Sequence, residues 1–391
     1  MSIDTIIYDK NSNISGIALC EGAEVKELEI IDENQAISGN IYLGKISRKI
    51  ALAQDREGFF VTLAAGVEAF LNADEYGVPE AKLTEGQSIV VQVSQDKRAE
   101  KNARLVRAIQ LAGKYLVYCP YRLGVEASHK IEDKTKAGNY IDFVKARMTG
   151  QEGWVLRTAS VEVPFDEVAA EMDQLRGIYE NVRIKARSAQ APSLLYAGPD
   201  ALDEILAHRG SQITRVITNN RNVEQMLAPK YGDAIQVVIS SAPFEEYGIE
   251  EVIGEALEKN VNLRGGGRIT IEETRACVAI DVDSGRDSGG GSLNRINEEA
   301  AKEIAKQIRL RNLSGKIVID FAGHSDYRFV KPLLEILYEE LRDDSAKSHI
   351  AGLTRGGLVE ILRVRRRPSL QELMSEECPT CRGTGRVEKG E

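Results

Sequence analysis

Two apolar runs that each end in aspartate, with a helix-length stripe of alanine and isoleucine between them, constrain this chain more than any other feature. The first is CVAIDVD at 277–283 and the second is GKIVID at 315–320. Side chains alternate across a strand, so Asp281 and Asp283 share one face while Val282 points to the other. Between the runs, Ala300, Ala301, Ile304, Ala305 and Ile308 recur at helical spacing; Asn297 suits the N-cap, and Ser314 and Gly315 close the segment. A strand, helix, strand order places the two strands parallel in one sheet, with their C-terminal ends at the same edge. Asp281, Asp283 and Asp320 then meet where open α/β sheets bind ligands. An isolated aspartate pair at a strand end would only signal a turn; the third carboxylate on the neighbouring strand is what points to a site.

Three carboxylates on one edge repel one another unless a cation or a shared proton relieves them. Magnesium suits such a place, because it takes oxygen ligands from one or two carboxylates and keeps positions for water and phosphate. A metal held this way polarises a phosphoryl group and activates water, so the reaction class is phosphodiester hydrolysis. A structural calcium ion is the alternative occupant. The sequence has no Walker loop, no GxSxG elbow and no HExxH.

The remainder of the 391 residues is long enough for about two to four domains. Residues 1–35 alternate short apolar runs with turn residues, as antiparallel strands do. From SGNIYLGKI onward, short strands separated by glycines predict a small inserted five-stranded barrel. GWVLRTAS predicts a strand, FDEVAAEMDQLRGIYENVRIKARS a helix, and residues 199–257 follow an α/β rhythm. No apolar run approaches the roughly 18 residues of a membrane helix, and MSIDTIIYDKNSN lacks the blocks of a secretory signal. Five cysteines without framework spacing fit a reducing compartment, so a cytoplasmic protein is expected. The net charge of −9 excludes a surface that coats nucleic acid throughout, so any such contact is focal.

Near the C-terminus, CPTC places Cys378 and Cys381 at a spacing that supplies two thiolates to a tetrahedral zinc. No second pair exists, and His129, His208, His324 and His349 lack partner spacing. Two chains sharing one zinc is the simplest completion; a redox pair is the other reading. Just upstream, ILRVRRRPSL crowds Arg363, Arg365, Arg366 and Arg367. Beside a phosphodiester site such a run suits phosphate-backbone contacts, since guanidinium matches phosphate bidentately.

The segments GGGRITIEETRACVAIDVDSG, NEEAAKEIAKQIRLRNLSGKIVIDF, TRGGLVEILRVRRRPSL and CPTCRGTG, with the earlier GNIYLGKI and LAGKYLV, resemble the ribonuclease E/G endoribonucleases in the same order. The resemblance implies a multidomain α/β architecture. Its parts are an RNase H-like subdomain (1–35 and 199–257), an inserted OB-fold RNA-binding barrel (36–118), a 5′-end sensor (119–198), a DNase I-like catalytic subdomain (258–375) and a zinc-link tail (376–391). Asp281 and Asp320 match the family's magnesium-binding aspartates. Asp283 falls where ribonuclease E has asparagine, a departure that adds a negative charge and bears on metal number. Phe60 and Phe70 match base-stacking aromatics, Lys101 a basic RNA contact, and Arg157 with Thr158 the pocket for a 5′-monophosphate. The RLGVEAS loop departs from the family's version.

The expectation is therefore a magnesium-dependent endoribonuclease of single-stranded RNA that leaves a 5′-phosphate and a 3′-hydroxyl, with Asp281, Asp283 and Asp320 as its catalytic carboxylates. Arg363, Arg365 and Arg366 would contact RNA. Ribonucleases E and G continue past the zinc motif into a small domain that helps pair dimers, and ribonuclease E adds a scaffold arm. With ten residues after Cys381, a zinc-linked homodimer without tetramer or degradosome scaffold is expected. Two rivals stand beside this reading: a non-catalytic zinc-linked RNA-binding protein of ribosome assembly or translation, and a DNA nuclease.

Overall fold

The computed structural model describes residues 3–10, 14–31, 36–52, 56–64, 66–72, 83–97, 102–198, 201–285, 290–323, 326–365, 367–381, 383 and 385–387. The chain divides into two compact units, one of residues 1–33 with 201–391 and one of residues 34–200.

The first unit opens with strands β1 (Thr5–Asp9), β2 (Gly16–Glu21) and β3 (Glu24–Ile30), paired as an antiparallel meander.

The second unit begins with β4 (Ile41–Ala51), β5 (Glu57–Ala64), β6 (Val67–Asn72), β7 (Ser88–Gln95) and β8 (Ala103–Val106). These close on themselves in the order β4-β5-β6-β8-β7, because β7 pairs back to β4. Phe59, Val61 and Leu63 alternate into the barrel core with Ala69, Leu71, Val91, Val93 and Leu105, as period-two patterning requires. The expected five-stranded barrel is present. A second sheet of the unit contains β9 (Leu111–Ala112), β10 (Leu116–Cys119), β11 (Gly124–Ala127) and β12 (Gly153–Leu156). Helices α1 (Lys134–Lys145) and α2 (Phe165–Ser188) share its core around Trp154, Leu116, Val144, Val168 and Met172. After α2, β13 (Ser193–Tyr196) pairs with β4 and so attaches to the barrel sheet.

The chain then returns to the first unit through α3 (Ala201–Arg209), β14 (Arg215–Thr218), α4 (Asn222–Tyr231), β15 (Gln236–Ile239), α5 (Pro243–Glu246) and α6 (Ile249–Leu257). β14 joins β1 in parallel, giving the order β15-β14-β1-β2-β3. Separate cores lie on the two faces of this sheet: Ile6, Ile17, Leu202 and Leu227 on one, Ile7, Ala18, Phe244 and Ile253 on the other. A strand buried on both sides reads as a continuous apolar run, which is what TIIYD and GIALC are.

The last sheet has the order β16-β17-β18-β19-β21-β20. Its elements are β16 (Asn260–Asn262), β17 (Arg268–Glu273), β18 (Val278–Asp283), α7 (Gly290–Leu310), β19 (Gly315–Asp320), α8 (Tyr327–Leu341), β20 (Ser348–Leu353) and β21 (Val359–Arg363), followed by α9 (Leu370–Met374). β18 and β19 are parallel with α7 as their crossover, as expected. The stripe Ala300, Ala301, Ile304, Ala305 and Ile308 is fully buried against Ile280, Ile317 and Ile319. One expectation is corrected: Asn297 is no N-cap, because α7 starts at Gly290 and carries Asn297 buried in its interior. Among the described residues, no helix is long and apolar enough to cross a membrane.

Candidate active site at the edge of the six-stranded sheet

Asp281 and Asp320 are direct partners in the parallel register of β18 and β19. Strands lie about 4.8 Å apart, so the two carboxylates stand side by side on one face, both exposed. Among the described residues neither has a hydrogen-bonding or ionic partner. Two adjacent carboxylates suit a cation in charge and in donor type, and two is the number magnesium ordinarily draws from a protein.

Asp283 is different. Its Oδ2 faces Nη2 of Arg268 at 3.3 Å, and its Oδ1 accepts a hydrogen bond from the Gly285 N–H at 2.9 Å. Arg268 stands directly opposite Asp283 in the antiparallel β17–β18 register, as Thr270 does opposite Asp281. Two glycines permit this arrangement. A Cβ on Gly267 would meet the Asp283 carbonyl oxygen at 2.8 Å, and one on Gly285, at φ 68°, would meet the Gly266 carbonyl at 2.4 Å. Among the described residues no three His, Cys, Asp or Glu side chains gather as a metal cage. The three-carboxylate cluster expected from the sequence thus resolves into a pair and a third that is already engaged.

Asn297 holds the segment that follows Asp320. Its Nδ2 donates to the Ala322 carbonyl at 3.0 Å and its Oδ1 accepts from the Ala322 N–H at 3.1 Å. Asn297 is 0% exposed, so α7 and the segment after β19 are joined by two bonds anchored on a buried side chain. Sequence reasoning missed both Arg268 and Asn297 as site residues. Arg268 carried a signal in the strand alternation that sets Asp283; Asn297 was noticed for the wrong reason.

The arginine run is largely structural. Arg363 is a correction: it is 3% exposed, it chelates Asp344 at 2.7 and 2.9 Å, and it donates to Asn312 Oδ1 at 2.8 Å and the Leu313 carbonyl at 2.9 Å. That guanidinium leaves no edge for RNA. Arg365 is half-buried, donating to Ser314 Oγ at 3.1 Å and reaching Glu372 at 3.5 Å. Arg367 pairs with Glu29 and Glu204, and Arg366 lies outside the described residues.

In the barrel, Phe60 and Phe70 are cross-strand partners on the outer face, each half-buried, with ring centroids 5.7 Å apart. The Arg48 guanidinium sits 4.4 Å over the Phe60 ring. A Cβ on Gly58 would come within 2.6 Å of the Phe70 ring, so the edge of that ring packs over bare backbone. Lys101 lies outside the described residues. In the second sheet's region, Arg157 and Thr158 are exposed at the end of β12. Arg157 donates to the Gly113 carbonyl, and the Glu171 carboxylate accepts from the N–H groups of Lys114, Tyr115 and Leu116 at 2.6, 2.8 and 2.7 Å, fixing that turn.

At the C-terminus, Cys378 is exposed and Cys381 partly so. The backbone N–H groups of Cys381 and Thr380 point at the Cys378 sulfur and hold its thiol below the usual range. A thiol that ionises more readily than usual, with a second thiol beside it, fits half of a tetrahedral zinc site.

Comparison with known proteins converges on one family. The Ribonuclease E/G family model matches residues 110–366. Ribonuclease G of Haemophilus influenzae is 31% identical over 98% of this chain and 84% of its own length. Ribonuclease G of Escherichia coli K12 is 29% identical over 95% of this chain and 82% of its own length. Ribonuclease E of the same strain is 31% identical over 96% of this chain, which spans 38% of that longer protein. A match of this extent means that the chain belongs to the ribonuclease E/G family and is an endoribonuclease of RNA processing and decay.

Proposed function

We propose that the protein cleaves single-stranded RNA internally with magnesium, leaving a 5′-phosphate and a 3′-hydroxyl. The observation that carries this reading is the in-register pair Asp281 and Asp320, two exposed carboxylates with no counter-charge among the described residues. Magnesium, when bound there, supplies Lewis-acid polarisation of the scissile phosphate and acidifies water. Asp281 and Asp320 would hold it, Asp283 would help order the site, and Asn297 would keep the turn after Asp320 from shifting.

Substrate handling falls to the other unit in this reading. The closed barrel is the family's OB-fold, where Phe60 and Phe70 offer stacking faces and Lys101 a backbone charge; stacking tolerates any base, which suits a single strand. Arg157 and Thr158 would receive a 5′-monophosphate through a guanidinium fork and a hydroxyl, within a 5′-sensor region. The sheet bearing β18 and β19 corresponds to the DNase I-like subdomain and the one bearing β1 to the RNase H-like subdomain. Arg365 and Arg366 remain the run's candidates for RNA contact. Cys378 and Cys381 would share zinc with a second copy, linking a cytoplasmic homodimer.

The test is cleavage of a fluorescent, 5′-monophosphorylated single-stranded RNA with magnesium by wild type, Asp281→Asn and Asp320→Asn. Internal cleavage by wild type alone, with RNA still bound by both variants, is expected; binding without cleavage by the wild-type zinc-loaded protein would favour the binding-protein rival. A matched DNA oligonucleotide should compete poorly, and a 5′-hydroxyl RNA should be cut more slowly if Arg157 reads the end.

A further inference from the structure

We infer that Arg268 is a positioning residue that cancels the charge of Asp283 and so keeps the site to one metal ion, held by Asp281 and Asp320. The inference rests on the magnesium reading of that pair. Asp283 stands two residues beyond Asp281 on the same face of β18, and as a free carboxylate it would draw metal away from the other two. The structure supplies the compensation on the adjacent strand. Arg268 and Asp283 are directly opposed in register, their charges are 3.3 Å apart, and the other Asp283 oxygen is occupied by the Gly285 N–H. An Asp–Arg pair carries no net charge. As an exposed pair it contributes little to stability. Its consequence is local: it decides which carboxylates remain available to a cation.

The two positions therefore form a coupled unit, and a double-mutant cycle reads the coupling directly. Binding of Mn²⁺, which is visible by electron paramagnetic resonance and stands in for magnesium, is measured on the full chain without RNA. Asp283→Asn leaves the half-exposed Arg268 unpaired but free to turn into solvent, so it should weaken Mn²⁺ binding only about two- to threefold. Arg268→Ala, which frees the Asp283 carboxylate, should bind Mn²⁺ roughly tenfold more tightly or take up a second ion. Arg268→Ala with Asp283→Asn should return to wild-type binding. In cleavage, Arg268→Ala should lower kcat more than it raises KM, and adding Asp283→Asn should recover most of that turnover.

Additive effects in the cycle, or Mn²⁺ binding weakened by Asp283→Asn as much as by Asp281→Asn, would overturn the inference while leaving the metal pair intact. If Asp281→Asn leaves Mn²⁺ binding unchanged, the metal reading fails and the inference falls with it. Matching thermal unfolding curves establish that the variants fold.

Discussion

Arg363 and Asp344 form a two-point ion pair, 2.7 Å from Nε to Oδ2 and 2.9 Å from Nη2 to Oδ1, with side chains 2% and 0% exposed. It ties the end of β21 to the segment after α8, while Asn312, in the left-handed region at φ 50°, presents its Oδ1 to the same guanidinium. Removing one member leaves a buried charge uncompensated. Arg363→Ala is expected to lose about 3–5 kcal/mol of stability, measured by urea unfolding, with no specific defect in RNA affinity among molecules that remain folded.

The bare carboxylates behave in the opposite way. Asp281→Asn and Asp320→Asn each remove one of two adjacent like charges, so neither should destabilise the fold in metal-free buffer, and a small rise in Tm is expected. Both should reduce cleavage by at least about a thousandfold, a barrier increase of roughly 4 kcal/mol. Calorimetry and single-turnover assays on the same preparations check the two halves.

Asn297→Ala would strip the part-buried Ala322 N–H and carbonyl of their side-chain partner. About 1–3 kcal/mol of stability should be lost. Because Ala322 lies two residues beyond Asp320, kcat should fall with little change in KM. A variant that loses stability yet keeps full kcat would show that the clamp does not position the site.

On the barrel, Phe60→Ala or Phe70→Ala removes a half-exposed ring, so stability should change little. Binding of a single-stranded oligonucleotide should weaken by about 1–3 kcal/mol for each stacked base lost, seen by fluorescence anisotropy. Gly58→Ala is expected to mimic the Phe70 variant, since a Cβ there occupies the space beneath that ring.

Glu24 links β3 to α7 through Lys306 at 2.9 Å and also pairs with Lys26 at 2.7 Å. Hydrogen bonds from Lys26 and then Lys306 lower its pKa from 4.5 to about 2. A carboxyl whose folded pKa is depressed stabilises the fold above its unfolded pKa, and that contribution disappears as pH falls from 4.5 toward 2. Glu24→Gln should therefore be less stable than wild type at pH 7 and converge with it near pH 2. Because the group is largely exposed, the gap at neutral pH should stay below about 1 kcal/mol.

The sequence by itself determined the pieces whose signals are local. Alternation in CVAIDVD and GKIVID, with the helical stripe between them, specified two parallel strands and the edge on which Asp281 and Asp320 meet, because side-chain direction follows from strand and helix period alone. The barrel strands were legible for the same reason. What only the tertiary structure decided was which charges find partners. Arg268 and Asp283 lie 15 residues apart and meet through strand register; Arg363 and Asp344 lie 19 apart and meet inside the fold. Spacing says where a side chain points along its own element, while the partner across from it depends on how separate elements pack. The crowded arginines at 363–367 thus looked alike in sequence, yet burial removed one from the surface and ion pairs claimed another.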